Sequence, residues 1–310
     1  MTRTVAIAGG SGFIGQHLAA SLVARGDDVV VLSRDPERAA RRGRTHGRLT
    51  KWTGADPDEL ATILDGVDAV VNVTGVPVGP RPWTPGRRRA IRESRLGPTR
   101  TIVEAIRRLP AERRPSVLVN VSGSDTYQGL DATPATEADD RAPGFLADLC
   151  HDWEAAARAA EELGVRVAIV RNGFVIGPDA KALELLVLPL RLHAGGRLGS
   201  GRQWMSWVHV DDVVGIMTMA IDATEASGPF NAVSPEPVHE ADVAAAIGRA
   251  LGRRSWLPVP ALPIRLVLRD VSVLILGSVR AIPTRAAALG YRFRWTDLDV
   301  AMRDVLRSAR

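Results

Sequence analysis

The residues with the clearest chemical purpose lie near the start of the chain. In Val5-Ala-Ile-Ala-Gly-Gly-Ser-Gly-Phe-Ile-Gly15, glycines 9, 12 and 15 satisfy G-x-x-G-x-x-G, and glycines 10, 12 and 15 satisfy G-x-G-x-x-G. In a dinucleotide site the glycines serve three mechanical needs, which are a tight turn, close approach of backbone to pyrophosphate, and close packing of helix on strand. A helix that starts there offers free N–H groups and the positive end of its dipole to the phosphates. Gly9, Gly10, Ser11, Gly12, Phe13, Ile14 and Gly15 are therefore the expected pyrophosphate loop. A tight strand-to-helix turn without a ligand is the competing reading. The apolar strand before the glycines and the amphipathic run after them favour the nucleotide.

The adenosine ribose is read at the end of the second strand, Leu32-Ser33-Arg34-Asp35. An acidic residue there favours NAD, and an arginine accommodates the 2′-phosphate of NADP. Ser33 and Arg34 come first, and a guanidinium fork suits a phosphate. Asp35 precedes Pro36 and is expected to open the next helix. The expected cofactor is NADP(H), with NAD(H) the alternative.

In such sheets ligands sit beyond the carboxyl ends of the strands. Asn72, Thr74 and Gly75 end strand four, Ser122 and Ser124 end strand five, and Asn172 and Gly173 follow strand six. Asn72, Thr74, Gly75, Arg95 and Arg171 join the expected cofactor-binding set. The serine hydroxyls can hydrogen-bond a carbonyl or hydroxyl, and Tyr127 is the nearby phenol that could donate a proton. These three are the catalytic candidates. Trp83 and Arg95 are placed to line a pocket. Arg202 and Gln203, set among glycines, suit a lid or anion clamp.

The elements that must hold these residues alternate. Apolar strands at Val5–Ala8, Val29–Leu32, Arg48–Trp52, Ala69–Asn72, Val117–Val121 and Val165–Val170 are separated by helices, expected over 36–44, 58–64, 87–109 and 145–163. This rhythm makes an α/β fold, a Rossmann-type doubly wound parallel sheet. Beyond Gly177-Pro178 the pattern changes to helix 182–193, an extended 204–209, helix 210–223, a short extended 230–233 and helix 238–251. Asp211 is expected to cap the 210–223 helix, with Asp212 in its first turn. The domain reading is a nucleotide-binding unit over 1–240 and a small, mostly helical part over 241–310 that contributes to the substrate side.

Composition excludes several classes. The chain has 310 residues, 45% hydrophobic and 24% charged, as a globular protein has. Its formal charge is +5, yet only Lys51 and Lys181 are lysines and the arginines are spread out. No basic face interleaved with aromatics forms, so nucleic acid is not an expected partner. The lone Cys150 excludes an internal disulfide and a cysteine-based metal cluster. No signal peptide is apparent, and charges and Pro189 interrupt the greasy stretches 183–192 and 264–279. The expectation is a cytoplasmic protein that takes a small molecule, without metal or membrane.

The Ser-x-Ser after strand five resembles the short-chain dehydrogenases. Their general acid is a Tyr, assisted by a Lys four residues later on one helical face. This chain has two tyrosines, Tyr127 and Tyr291, and four residues on from them lie Asp131 and Trp295. The dyad is absent from the chain. On the helix that should carry it, the Tyr position is Leu146 and the Lys position Cys150. Cys150 is expected in the core, with His151 and Asp152 at the surface.

More specifically, the chain resembles the YfcH-like epimerase-family proteins, an atypical branch of the extended short-chain dehydrogenases. The matching pieces are Val70-Val-Asn-Val-Thr-Gly75, Ile91-Arg-Glu-Ser-Arg95 with Thr99, Val121-Ser-Gly-Ser124, Phe145-Leu-Ala-x-Leu-Cys150 with Trp153-Glu154, and Arg171-Asn-Gly173. Gly199-Ser-Gly-Arg-Gln-Trp204, Ser206-Trp-Val-His209 with Asp211-Asp212, Asn231-Ala-Val-Ser-Pro-Glu-Pro237 and the extension from Val259-Pro260 to Gly290-Tyr-Arg-Phe293 complete the set. The resemblance implies an NADP-binding, oxidoreductase-like fold without the dyad, and some relatives are tied to bacterial or plastid division. One departure is local. Ser122-Gly-Ser-Asp-Thr-Tyr-Gln-Gly129 is one residue shorter than the family's loop, and Gln128 replaces its second Tyr. Two functions follow as expectations: an NADP(H)-dependent oxidoreductase or isomerase of a small molecule, or a non-catalytic NADP(H)-binding regulator linked to division.

Overall fold

The computed structural model describes residues 2–41, 43, 46–139 and 141–308. The chain runs β1 (Thr4–Ala8), α1 (Phe13–Arg25), β2 (Asp28–Ser33), α2 (Pro36–Arg41), β3 (Arg48–Lys51), α3 (Pro57–Leu64), β4 (Ala69–Asn72), α4 (Pro85–Arg108), β5 (Val117–Gly123), α5 (Phe145–Arg158), β6 (Arg166–Asn172) and β7 (Phe174–Ile176). It continues with α6 (Lys181–Arg191), β8 (Trp204–Met205), β9 (Trp207–His209), α7 (Val210–Asp222), β10 (Gly228–Ala232), β11 (Val238–His239), α8 (Glu240–Leu251), α9 (Ala261–Leu268), α10 (Val273–Leu276), α11 (Thr284–Ala288) and α12 (Leu298–Ser308).

Seven strands form one parallel sheet in the order β10-β6-β5-β4-β1-β2-β3. Both faces are covered. Val5 and Ile7 of β1 pack into one core layer with Leu18 and Leu22 of α1 and Ile216 of α7. Ala6 and Ala8 pack into the other with Leu60 of α3 and Ile102 and Ile106 of α4. Side chains alternate across a strand, so a strand buried on both faces must be apolar at every position, as β1 is over Val5–Ala8. A third cluster joins α6, α8 and α12 around Trp207. Register aligns Ala8 with Asn72 and with Leu32, and Gly123 with Asn172, so the strand ends that carry candidate residues lie along one rim. Strand order reverses at β1 and β4, where a doubly wound sheet opens its ligand crevice.

Several local expectations change. The fifth helix stops at Arg158 instead of Leu163, because bonds such as Ala160 N to Ala157 O tighten the chain into a 3-10 turn over Glu161–Leu163. The extended 204–209 run is two short strands. The first pairs with β11 and the second with β7, and at the break the Ser206 carbonyl accepts from Phe174 N. The helix expected from Val238 starts at Glu240, because Val238 and His239 pair with Met205 and Trp204. The 230–233 segment is a full member of the main sheet, at its edge beside β6. The end expected for the second helix, Arg44, lies outside the described residues.

Candidate functional site

The glycine turn leaves no room for side chains. Gly9 has φ +79°, and a Cβ there would lie 2.9 Å from the Val73 carbonyl oxygen. A Cβ on Gly15 would lie 2.6 Å from Gly10 Cα, so helix and turn touch through bare backbone. Gly12 caps α1 without any side-chain bond, and no acidic residue occupies the first turn. The first N–H groups of α1 thus keep their capacity for an anion. Ser11 is tied in through its carbonyl, which accepts from Gln16 Nε2 at 2.7 Å, and the Phe13 ring packs against Gly177. Ile14 is half-buried against the core.

At the end of β2, Ser33 is buried and its hydroxyl accepts from Asp35 N at 3.3 Å. Asp35 caps α2, its carboxylate accepting from Arg38 N at 2.9 Å. That bond satisfies an orphan donor of the helix and occupies the acidic side chain that would compete for the ribose. Arg34 is exposed and has no ion pair among the described residues.

At the end of β4, Asn72 is fully buried and spans a network. Its Nδ2 donates to Thr99 Oγ1 (2.8 Å) and Asn120 Oδ1 (2.7 Å), while its Oδ1 accepts from both Thr74 N and Thr74 Oγ1. Its side chain therefore shapes the Thr74 turn. Trp153 Nε1 donates to Thr99 Oγ1 at 2.9 Å, tying α5 to α4. The Gly75 backbone passes close to the Arg95 guanidinium: a Cβ there would lie 3.0 Å from Arg95 Cζ. Trp83 is buried, donates to the Val78 carbonyl at 2.8 Å, and packs on Phe145 with ring centroids 5.1 Å apart.

Ser122 and Ser124 are buried at the end of β5 and the start of a 3-10 turn over Ser124–Tyr127. The Ser122 hydroxyl meets the Cys150 thiol and has no other hydrogen-bond partner among the described residues. Tyr127 is 0% exposed; its hydroxyl accepts from Arg171 Nη1 at 2.5 Å and donates to Asn231 Oδ1 at 3.1 Å. Arg171 forms a two-point ion pair with Glu154 at 2.8 Å. Glu154, on α5, thus locks the Arg171 of β6, and the Tyr127 phenol lies inside this network rather than at the rim. Burial pushes the phenol above its ordinary value, against the pull of Arg171.

On α5 the dyad positions hold Leu146 and Cys150, both buried. Burial pushes the Cys150 thiol up to about 12, with Asp125 and Glu154 adding to the effect. Asp152 pairs with Arg92. Gln203 is buried and donates to the Leu198 and Ile275 carbonyls at 2.9 and 3.2 Å, which pins its loop; Arg202 beside it is exposed. The cap of α7 is His209, not Asp211: its Nδ1 accepts from Asp211 N at 3.1 Å. Asp212, free of the cap, reaches the C-terminal segment.

Sequence reasoning passed over Asp125. It follows Ser124 in the shortened loop, and its carboxyl shares one face of Gly123 with the Cys150 thiol. A Cβ on Gly123 would lie 3.1 Å from Asp125 Oδ2 and 3.4 Å from Cys150 Sγ. Burial raises the Asp125 carboxyl, partly offset by Arg95. The available signal was an acidic residue at the end of a strand buried on both faces, where a charge is costly unless used.

A parallel sheet in this order, a glycine turn after its central strand and ligand-facing strand ends define the extended short-chain dehydrogenase architecture. Residues 5–233 match the NAD dependent epimerase/dehydratase family, and residues 259–305 match a domain of unknown function (DUF1731). The chain belongs to this epimerase family, in the atypical branch that carries the C-terminal domain. It is 33% identical over 304 residues to the chloroplastic epimerase family protein SDR39U1 homolog of Arabidopsis thaliana, covering 98% of this chain and 87% of the relative. It is 32% identical to epimerase family protein YfhF of Bacillus subtilis, covering 97% of each. The crystal structure of human epimerase family protein SDR39U1 (isoform 2) with NADPH superposes with a TM-score of 0.86 at 32% identity, covering 98% of this chain and 99% of that one.

Proposed function

We propose that this chain is an NADP(H)-dependent oxidoreductase or isomerase acting on a small molecule, without a Tyr–Lys dyad. The observation that carries the cofactor is the uncapped start of α1, where bare glycine backbone replaces every side chain that would block a pyrophosphate. The unpaired Arg34 at the end of β2, with Asp35 committed to its helix cap, favours a 2′-phosphate. A human relative crystallised with NADPH supports the same reading. Gly9 to Gly15 would hold the pyrophosphate, Ser33 and Arg34 the 2′-phosphate, and Thr74 and Gly75 would line the path toward β5. The cofactor supplies hydride chemistry when bound. The chain supplies the cleft between the ends of β4 and β5, where Ser122 and Ser124 can orient an oxygen and Trp83, Phe145 and Trp153 wall out water.

A second reading, a cofactor-binding regulator without turnover, is favoured by one observation: α5 presents Leu146 and a protonated thiol where the dyad would act. Titration with NADPH and NADH, followed by a screen of carbonyl compounds for NADPH consumption, separates the two. Turnover supports the enzyme, and binding without turnover across a broad panel supports the regulator. Arg34→Ala is expected to weaken NADPH by roughly tenfold or more, the loss of a charge-assisted contact, and to leave NADH nearly unchanged. Equal losses would overturn the assignment of the 2′-phosphate. Among the described residues no helix is long and apolar enough to cross a membrane, and we place the protein in the cytoplasm.

A further inference from the structure

Arg95 makes no ion pair within contact distance among the described residues. It projects from α4 beside Gly75, and its guanidinium face lies over the Trp153 ring at 5.2 Å. Every hydrogen bond it makes uses Nη1: to the Val76 carbonyl (3.1 Å), the Ile91 carbonyl (3.1 Å) and Ser94 Oγ (3.4 Å). Nε and Nη2, the edge that forms a two-point fork, have no partner among the described residues. Burial works against this charge and pulls the guanidinium below its ordinary value, while Cys150 and Asp125 are the groups that favour it. An unmatched cation in a half-buried site costs stability, so its retention calls for an anion.

The surroundings add two features. The Ser122 hydroxyl is buried against the Cys150 thiol and makes no other hydrogen bond among the described residues. The Asp125 carboxyl flanks the same Gly123 face as that thiol. A fork for a carboxylate, a hydroxyl held only by a thiol and a carboxyl raised by burial thus lie along the ends of β4 and β5. These are the strand ends that border the cofactor path proposed above.

We infer that the free edge of Arg95, with Asp125 and Ser122 beside it, is a subsite for the carboxylate of a small carbonyl-bearing acid. The inference rests on reading this cleft as the substrate side of the proposed NADP(H) protein. A planar guanidinium edge matches a carboxylate with two parallel bonds. The serine hydroxyl, held only by the weak thiol partner, can turn to the neighbouring carbonyl oxygen as an electrophile-orienting contact. Asp125 must be neutral for the anion to enter, because its carboxylate would neutralise Arg95 and repel the ligand. The groups that face it are Arg95 from α4 and Cys150 from α5. Glu154, further along α5, is committed to Arg171. The thiol holds its proton up to about 12, and burial raises the Asp125 carboxyl.

The probe is oxamate, titrated calorimetrically into the full chain, with NADPH binding measured on the same preparations. The wild type is expected to bind oxamate with an affinity that falls as pH rises and Asp125 ionises. Arg95→Gln is expected to weaken oxamate by roughly tenfold or more and to weaken NADPH much less. Asp125→Asn should still bind oxamate, with the pH dependence removed. An unchanged thermal melting temperature reports that each variant is folded. Three results would overturn the subsite: oxamate binding unchanged in Arg95→Gln, equal loss of oxamate and NADPH in that variant, or no oxamate binding by a wild type that binds NADPH. A wild type that binds oxamate but no dinucleotide would instead sink the proposed function and leave the anion site standing.

Discussion

Cys150 shows how one residue's chemistry is decided by its neighbours. A thiol is a nucleophile only as thiolate, and positive surroundings or a helix N-terminus make it so. Cys150 sits in the middle of α5, buried, with the acidic residues Asp125 and Glu154 as neighbours. Arg95, the nearest cation, does not outweigh them. With the thiol pushed up to about 12, the thiolate fraction at pH 8 is about one in ten thousand. Native protein is therefore expected to resist Ellman's reagent at pH 8 for hours, and to release one equivalent once unfolded in guanidinium. Rapid labelling of the folded protein would contradict this picture. The same reasoning separates Cys150 from the lysine it replaces: it cannot tune a phenol, and the Tyr position beside it is a leucine.

At the scale of elements, the glycine-rich loop before β8 is held by the start of α8. Glu240 is 2% exposed, and its carboxylate accepts from Leu198 N at 2.8 Å. The backbone adds Glu240 N to the Gln203 carbonyl and Ala241 N to the Gly201 carbonyl. Burial pushes the Glu240 carboxyl up to about 7, against the pull of Arg197 and the Leu198 N–H. The unfolded group ionises near 4.5, so between about 4.5 and 7 the folded state binds more protons, and stability falls as pH rises. Above about 7 the full cost of the buried charge is present. Glu240→Gln keeps an acceptor for Leu198 and removes that charge. It is expected to be more stable than wild type by about 1–3 kcal/mol at pH 8, with the advantage gone below about pH 4.5. Urea unfolding at the two pH values measures this, and an advantage independent of pH would contradict the assignment.

For the whole molecule, the joint that matters is between α7 and the C-terminal segment. Asp212 is 0% exposed; its Oδ1 accepts from Tyr291 Oη (2.9 Å) and Arg294 N (2.8 Å), and its Oδ2 from Trp295 N (3.0 Å). Asp211 adds Trp295 Nε1 at 3.0 Å. Elsewhere the same segment meets the rim of the sheet: Arg88 pairs with Asp270 at 2.6 Å, Gly129 N donates to the Ser278 carbonyl, and Ser206 Oγ links to Val279 and Ala281. The extension thus braces the start of α4 and the loop after β5. Asp212→Ala removes the carboxylate shared by three part-buried donors and is expected to cost about 2–4 kcal/mol. It should also open the 289–297 segment to limited trypsin cleavage at Arg292 and Arg294 while β1 and α1 stay protected. Wild-type resistance in the variant would show that the extension is held by other contacts.

The parts legible in the sequence are those governed by neighbours along the chain. The β1 turn and the start of α1 follow from four glycines within seven positions, because backbone sterics act over a few residues. The parallel sheet follows from apolar runs buried on both faces, and Asp35 as a helix cap from the Pro36 beside it. The chain also excludes a Tyr-x-x-x-Lys pair by spacing, because Asp131 and Trp295 lie four residues after its two tyrosines. Tertiary structure decided the rest, where the partner is distant. Tyr127 reads as a free phenol until Asn231, 104 residues on, and Arg171, 44 residues on, take its hydroxyl. Gln203 reads as a mobile clamp until Ile275 accepts its amide. Asp211 reads as a cap until His209 takes that role, and Asp212 keeps its place in the first turn while the C-terminal backbone claims its carboxylate. Asp125 and Arg95 become one site only when β5, α4 and α5 meet, because burial and charge at a point are set by every element packed there, and no local pattern encodes that sum.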